Sequence, residues 1–135
     1  MTKSLSEKII KNVSITFFLS LIISFILQAI WGLFFTKLND SIADNIFTIF
    51  MVFIFSLLTS AMLSIFTLIT ILLNLNNEIR KVYFYRILTF FVVPILIIIY
   101  SLSEENFLLL NIVIFNLTNL YSFNKFNEEI INGEE

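Results

Sequence analysis

Residues 45–77 read NIFTIFMVFIFSLLTSAMLSIFTLITILLNLNN and contain no Lys, Arg, Asp, Glu, Gly or Pro. This apolar stretch is longer than the roughly 20 residues that a helix needs to cross a bilayer. Three further apolar runs flank it, at residues 13–35, 82–101 and 106–123. The sequence therefore predicts an all-α, polytopic membrane protein whose four transmembrane helices form an up-down-up-down bundle.

The composition supports the same class. The 135 residues are 59% hydrophobic and 13% charged, whereas globular domains are roughly 25% charged. The polar segments are too short to bury a core of their own. We therefore predict a single membrane domain over residues 1–135, with the bundle as its only folding unit.

The first two spans are defined by length and by a helix-start signal. The run 13–35 would reach about 34 Å as a helix, enough to cross a membrane. It is also longer than the apolar core of a signal peptide, so we interpret it as a retained first span. Before the second span, at 45–73, Ser41 and Asp44 fit a capping box that starts a helix near Ile42.

The third and fourth spans are predicted at 82–101 and 106–123. Residues 124–135 form the predicted tail. In the sequence around its start, Phe123, Phe126 and Ile130 recur at helical spacing, which is typical of a short helix lying on the membrane surface.

The distribution of basic residues predicts the orientation, because cytoplasmic flanks are enriched in Lys and Arg. With both termini inside, seven basic residues lie on the cytoplasmic side and only Lys37 lies outside. The seven are Lys3, Lys8, Lys11, Arg80, Lys81, Arg86 and Lys125. This imbalance favours an N-in, C-in protein of a bacterial inner membrane, surrounded by membrane lipids.

Several chemistries are disfavoured by composition. The chain has no Cys and no His, which argues against disulfides and against zinc or haem sites, so we expect no metal and no cofactor. Every Asp and Glu falls outside the predicted spans, and no base accompanies the hydroxyls. The basic residues form no stripe that would suit nucleic acid. We therefore expect a protein that is not an enzyme.

Two spans carry polar faces. In the first, Thr16, Ser20, Ser24, Gln28 and Gly32 are each four residues apart and so form one stripe. In the second, Ser and Thr residues between Ser56 and Thr70 share an arc of roughly 140° at 100° per residue. Such stripes suit helix packing, where small residues allow close approach. The alternative is a hydroxyl-lined path for a small solute or ion.

The fourth span is the stronger functional candidate. Asn111, Thr118 and Ser122 share one stripe, Asn119 lies beside it and Asn116 lies further round. Amides inside lipid are costly unless they are hydrogen-bonded, so this face is expected to point inward, toward Gln28. It is either an interhelical hydrogen-bond cluster or a surface that binds a ligand or partner.

Two residues of the third span have predicted structural roles. Arg86 is interpreted as an interfacial anchor whose charge reaches back to the headgroups, with an ion pair to Glu78 as the alternative. Pro94 lacks an N–H and crowds the carbonyl four residues earlier, which predicts a helix kink.

Two functional hypotheses follow. The first is a non-catalytic accessory or immunity-type (toxin-protecting) module that binds a protein partner within the membrane. The second is a passive channel or small-solute facilitator, which would require a homo-oligomer because four helices leave little room for a pore.

Overall fold

The chain is all-helical in the regions that its computed structural model describes, namely residues 2–35, 42–101 and 106–131. Within these ranges only Asn76 and Val82 lie outside a helix. The helices are α1 (Thr2–Phe35), α2 (Ile42–Ile71), a 3₁₀ turn (Leu72–Leu75), α3 (Asn77–Lys81), α4 (Tyr83–Ser101) and α5 (Asn106–Ile131). α2 is helical from Ile42, the first residue described after the first range, and Ser41 of the predicted capping box lies outside the described residues.

Three stretches of the described helices are long and apolar enough to cross a membrane. They are Leu5–Trp31 in α1, Ile42–Leu75 in α2 with its 3₁₀ turn, and Tyr83–Ser101 in α4. The predicted fourth span belongs to α5, which is not one of these three. The three apolar helices indicate insertion into a membrane.

The four long helices pack in a ring. α1 contacts α2 and α5, α4 also contacts α2 and α5, and α2 touches α5 across the centre. α1 and α5 run antiparallel, as shown by Thr16 with Ser122 and Gln28 with Asn111. α4 and α5 do so as well, as shown by Arg86 with Asn127 and Phe90 with Asn119. The same four helices therefore enclose one interior along the length of the bundle.

The connection between α2 and α4 is compact. After the 3₁₀ turn, Asn76 adopts an extended conformation and its side chain accepts a hydrogen bond of 2.9 Å from the Glu78 amide, which caps α3. Val82 is again extended, with φ −91° and ψ 114°, and separates α3 from α4. This geometry reverses the chain within a few residues.

The distribution of side chains is inverted relative to a water-soluble bundle. Among the described side chains, buried polar residues outnumber buried apolar ones, while large apolar side chains cover the outside. Ser20, Ser24 and Ser56 are fully buried, whereas Phe50, Leu58 and Ile65 are more than half exposed. Lipid solvates apolar side chains as well as a protein core does, so the interior can be small and polar.

The last described turns of α5 differ from the sequence prediction. α5 continues without a break to Ile131, and Phe123, Phe126 and Ile130 are buried rather than laid on a membrane surface. They pack against Ile9 and Val13 of α1. The reason is that α1 begins well before its apolar run, and its first turns supply the apolar partner that α5 needs.

α4 continues as one helix through Pro94, which is buried. The residues on either side contribute to two separate apolar clusters, one containing Phe90 and the other lined by Ile97 and Ile98. The kink at Pro94 stays a prediction.

Candidate functional site

The predicted inward face of α5 meets α1 and α2 at a cluster that we call the amide cluster: Gln28, Ser56, Thr59 and Asn111. Gln28 Nε2 donates to Asn111 Oδ1, and Asn111 Nδ2 donates to Thr59 Oγ1 at 3.0 Å. Ser56 Oγ donates to Gln28 Oε1 at 3.2 Å. Thr59 Oγ1 lies 3.2 Å from the Ser56 carbonyl, to which it can donate. The expected contact between Gln28 and the α5 face is present.

The side-chain bonds form a chain through three helices that ends at Thr59, whose hydroxyl lies 2.9 Å from the Phe55 carbonyl of its own helix. Gln28 is 1% exposed and Asn111 is 1% exposed, so neither amide has access to solvent. Amide groups buried without partners are costly, and here each amide both donates and accepts. The cluster therefore fixes the axial register of α1, α2 and α5 relative to one another.

The remaining predicted α5 residues have different partners. Asn119 Nδ2 donates to the Phe90 carbonyl of α4 at 2.7 Å. Thr118 is buried but its hydroxyl bonds to carbonyls of its own helix, at Ile114 and Phe115. Asn116 is half-buried and likewise donates to its own helix, at Ile112. Only part of the predicted face therefore links helices.

Ser122 links α5 to the first half of α1. Its hydroxyl is hydrogen-bonded to Thr16 Oγ1 and lies 3.3 Å from the Asn12 carbonyl. Thr16 in turn donates to the same carbonyl at 3.1 Å. Together with Gln28 and Asn111 further along, this contact shows that the polar stripe of α1 faces α5 over several turns.

Arg86 is buried, with 8% of its surface exposed. Its Nε donates to Asn127 Oδ1 of α5 at 2.8 Å, and its Nη1 donates to the Arg80 carbonyl. The guanidinium also lies 5.5 Å from the centroid of the Tyr83 ring. Arg86 therefore joins α3, α4 and α5 at one end of the bundle.

The alternative interpretation of Arg86, an ion pair with Glu78, is not what the structure shows. Its role as an interfacial anchor stays a prediction, although its guanidinium is held by neutral acceptors of the bundle. Glu78 is instead exposed, and within the described ranges Arg86 makes no ion pair. The partner Asn127 lies 41 residues away in sequence and only the packing of α4 on α5 brings it near.

Sequence reasoning missed the polar residues at this end. Asn74 Nδ2 donates to Thr89 Oγ1 at 2.6 Å, and Thr70 Oγ1 donates to the Thr89 carbonyl at 2.6 Å. Asn74 and Asn127 are both buried. Spacing gave little signal: Asn127 follows Asn119 by eight residues, which places it about 80° further round α5 at 100° per residue.

Several buried polar atoms of the described residues have no hydrogen-bond partner. They are Asn12 Nδ2, Ser24 Oγ, Ser64 Oγ, Thr67 Oγ1, Asn74 Oδ1 and Glu129 Oε2. A buried polar atom without a partner is destabilising by about 1–3 kcal/mol. Such atoms mark places where a further donor or acceptor would stabilise the protein.

One of these atoms belongs to a surface groove between α1 and α2, which we call the α1–α2 groove. It is open, has a volume of about 250 Å³ and is largely apolar. Its lining residues are Ile10, Val13, Ser14, Phe17, Ala61, Ser64, Ile65 and Leu68. Ser64 is 6% exposed and its hydroxyl is unpartnered. All of these residues lie within the apolar stretches of α1 and α2.

The interior offers amides, hydroxyls and one guanidinium. In the described ranges no group of three His, Cys, Asp or Glu side chains converges as a metal site would require. Amides and hydroxyls in this arrangement hold helices together and can recognise hydrogen-bonding groups of a ligand.

Comparison with known proteins gives no relative: no protein-family model matches the chain, and neither a curated protein nor a solved structure matches it.

Proposed function

We propose that this chain is a small, non-catalytic integral membrane protein that crosses a bacterial inner membrane four times, with both termini in the cytoplasm. Three apolar helices support three crossings. α5 supports a fourth, because its 26 residues extend about 39 Å and it lies antiparallel to α1 and α4. The seven-to-one imbalance of basic residues supports the orientation.

Within this topology we propose a binding role, as an accessory subunit or an immunity-type module that protects against a toxin. The observation that carries this proposal is the α1–α2 groove. Small residues at Ser14, Ala61 and Ser64 allow another backbone to approach closely, as at membrane helix interfaces. The Ser64 hydroxyl has no partner and is covered in this rotamer; a change of its χ1 rotamer would let it bond to an incoming polar group.

The proposed partner is a transmembrane helix of another protein. The groove lies inside the apolar stretches, where the surroundings are lipid, so its occupant must itself be apolar overall. A partner helix that presents a small residue and one hydroxyl or amide would complement the groove. The amides of Gln28 and Asn111 and the guanidinium of Arg86 are already engaged between helices, so the groove on the outer surface is the better candidate for recognition.

The test is site-specific cross-linking in the native membrane. The chain has no Cys, so a photo-reactive residue or a single Ser14→Cys introduces the only reactive site. We expect one stoichiometric partner, cross-linked through a transmembrane segment. Filling the groove by Ala61→Leu should abolish the adduct, whereas Thr48→Leu, an exposed position of α2 outside the groove, should not.

Purification and deletion of the protein can also contradict the binding role. A protein that purifies as a partner-free species, gives no groove-dependent adduct, and can be deleted without changing sensitivity to any toxin of competing bacteria would contradict the binding role. Retention of the adduct in Ala61→Leu would place the partner on another surface.

A passive channel or small-solute facilitator is the second candidate, supported by the unpartnered hydroxyls. Ser24 and Thr67 are buried on α1 and α2, where water or a hydrogen-bonding solute would satisfy their hydroxyls. Reconstituted liposomes test this function directly. Flux of water, ions or small polar solutes that is lost in Ser24→Val and Thr67→Val would support it, and no flux above protein-free liposomes would contradict it.

A further inference from the structure

The turn between α3 and α4 concentrates positive charge. Arg80 and Lys81 occupy the last turn of α3, and Arg86 lies in the first turns of α4. We call these three residues the basic corner. Lys81 is exposed, Arg80 is half-buried and Arg86 is buried. The three cations of the basic corner therefore differ in depth, from the exposed Lys81 to the buried Arg86.

The start of α4 adds hydrogen-bond donors to this corner. Val82, which precedes the helix, has no side-chain acceptor with which to cap it. The first amide of α4 with a described backbone acceptor is that of Arg86, which donates to the Val82 carbonyl at 3.2 Å. The amides of Tyr83, Phe84 and Tyr85 come before it and have no acceptor in the described part of the chain. The positive end of the helix dipole points the same way, which favours an anion.

Arg86 provides independent support for an anion at this position. Its guanidinium bonds only to neutral acceptors, the Asn127 amide and the Arg80 carbonyl. Arg86 Nη2 has no acceptor among the residues that the structure describes. The guanidinium lies beside the ring of Tyr83, the first residue of α4. Although most of the Arg86 side chain is buried, Nη2 is not among the buried unpartnered atoms, so an anion at the surface of the corner could reach it and supply the missing counter-ion.

The depth of the corner identifies the source of the anion. Tyr83, Phe84 and Tyr85 are all about half exposed or more, and they begin the apolar helix α4. Exposed tyrosines at the end of a span are typical of the headgroup level of a bilayer. Of the acidic residues on α3 and α5, Glu78 and Glu128 are exposed, and Glu129 is half-buried with an unpartnered Oε2.

We propose that the basic corner binds the phosphate of an anionic phospholipid of the surrounding leaflet. A phosphate oxygen would accept from Nη2 of Arg86 and from the open amides of α4, while Lys81 provides a second charge nearer the surface. The acyl chains would lie against the exposed aromatic side chains. This site does not depend on the α1–α2 groove or on a protein partner.

The test uses the full-length protein in detergent and native mass spectrometry with added phosphatidylglycerol or phosphatidylcholine. We expect the wild type to retain phosphatidylglycerol preferentially. Lys81→Gln should weaken that binding about fivefold, the effect of one basic residue near a membrane surface. Arg86→Gln should weaken it about tenfold or more, since it removes a charge-assisted bond as well. Lys125→Gln, on α5, is the matched control and should change it by less than about twofold.

Folding of each variant is checked by circular dichroism, and Lys81→Gln keeps the test decisive if Arg86→Gln does not fold, because Lys81 is exposed. Equal retention of the two lipids, or equal loss in Lys81→Gln and Lys125→Gln, would overturn the proposal. Displacement of phosphatidylglycerol by an equal concentration of inorganic phosphate would also overturn it, since the site would then belong to a free anion.

Discussion

At the end of the bundle that contains Phe90, the interior is aromatic, whereas at the end that contains Gln28 it is built from amides and hydroxyls. In the first region, which we call the aromatic end, Phe90 lies 5.2 Å from Phe123 and 5.4 Å from Phe126, measured between ring centroids. In the second, the amide cluster joins three helices by side-chain hydrogen bonds. One chain thus uses two kinds of interior.

The difference follows from the solvent around each end. The aromatic end is formed by the beginning of α1 and the last turns of α5, which extend beyond their apolar runs and carry Lys and Glu on their surfaces. We expect water to reach these charged turns, where burying Phe and Ile is favourable. At the amide cluster the surroundings are apolar, and helices associate through hydrogen bonds and close packing. We therefore attribute the two kinds of interior to the different surroundings of the two ends.

The largest expected effect is in the aromatic end. Phe126 is 1% exposed, and Phe126→Ala should lower the free energy of unfolding by about 3–5 kcal/mol, through lost burial and a new cavity. The measurement is a denaturant titration in detergent micelles followed by circular dichroism. Phe18→Ala, at a position 58% exposed, is the control, and equal losses in the two variants would contradict the proposed role of water at this end.

A smaller loss in the free energy of unfolding is expected at Arg86, the buried charge of the aromatic end. Asn127→Leu removes the acceptor of Arg86 Nε and should cost about 1.5–3 kcal/mol, the range for hydrogen bonds to charged groups. The same titration measures it, with the exposed Asn124→Leu one turn earlier as the control. If Asn127→Leu were as stable as Asn124→Leu, the Arg86 contact would be of no consequence for the fold.

The amide cluster should respond more weakly, because polar contacts in lipid contribute less than aromatic burial in water. A double-mutant cycle of Gln28→Leu and Asn111→Leu should give a coupling energy of about 0.6 kcal/mol, and no more than about 1.7 kcal/mol. In the control cycle Asn116→Leu replaces Asn111→Leu. Asn116 bonds to its own helix, so the effects should add to within about 0.5 kcal/mol. A coupling energy above about 0.5 kcal/mol in the control cycle would mean that Asn116 also belongs to the amide cluster.

The smallest effect is expected at Pro94, which lies between the two apolar clusters of α4. Pro94→Ala should change the free energy of unfolding by less than about 1 kcal/mol, since neighbouring helices accommodate proline within membranes. A straighter helix should separate spin labels at the exposed positions Phe84 and Ile99 further, as measured by pulsed electron spin resonance. An unchanged distance would refute the predicted kink.

The helices themselves were predictable because their signals are local. The length of the apolar runs and the capping residues near Ile42 depend only on neighbours in sequence. The inward direction of Asn111 and Ser122 was likewise available from the 3.6-residue period. The polar stripes of α1 and α2 could be placed by the same rule.

The tail could not be placed in this way. An apolar stripe at Phe123, Phe126 and Ile130 suits a membrane surface as well as it suits a neighbouring helix. The choice depended on α1, whose first turns bring Ile9 and Val13 alongside. Arg86 is a similar case, because a guanidinium near a helix end can snorkel, pair with an acid or bond to an amide.

The sequence by itself determined that this is a helical protein with membrane-length apolar helices, since hydrophobicity and helix length act residue by residue along the chain. Only the tertiary structure decided which polar groups meet: Gln28 with Asn111, Arg86 with Asn127. Those pairings depend on the rotation and axial register of whole helices, which many weak contacts set together and no single stretch of sequence specifies.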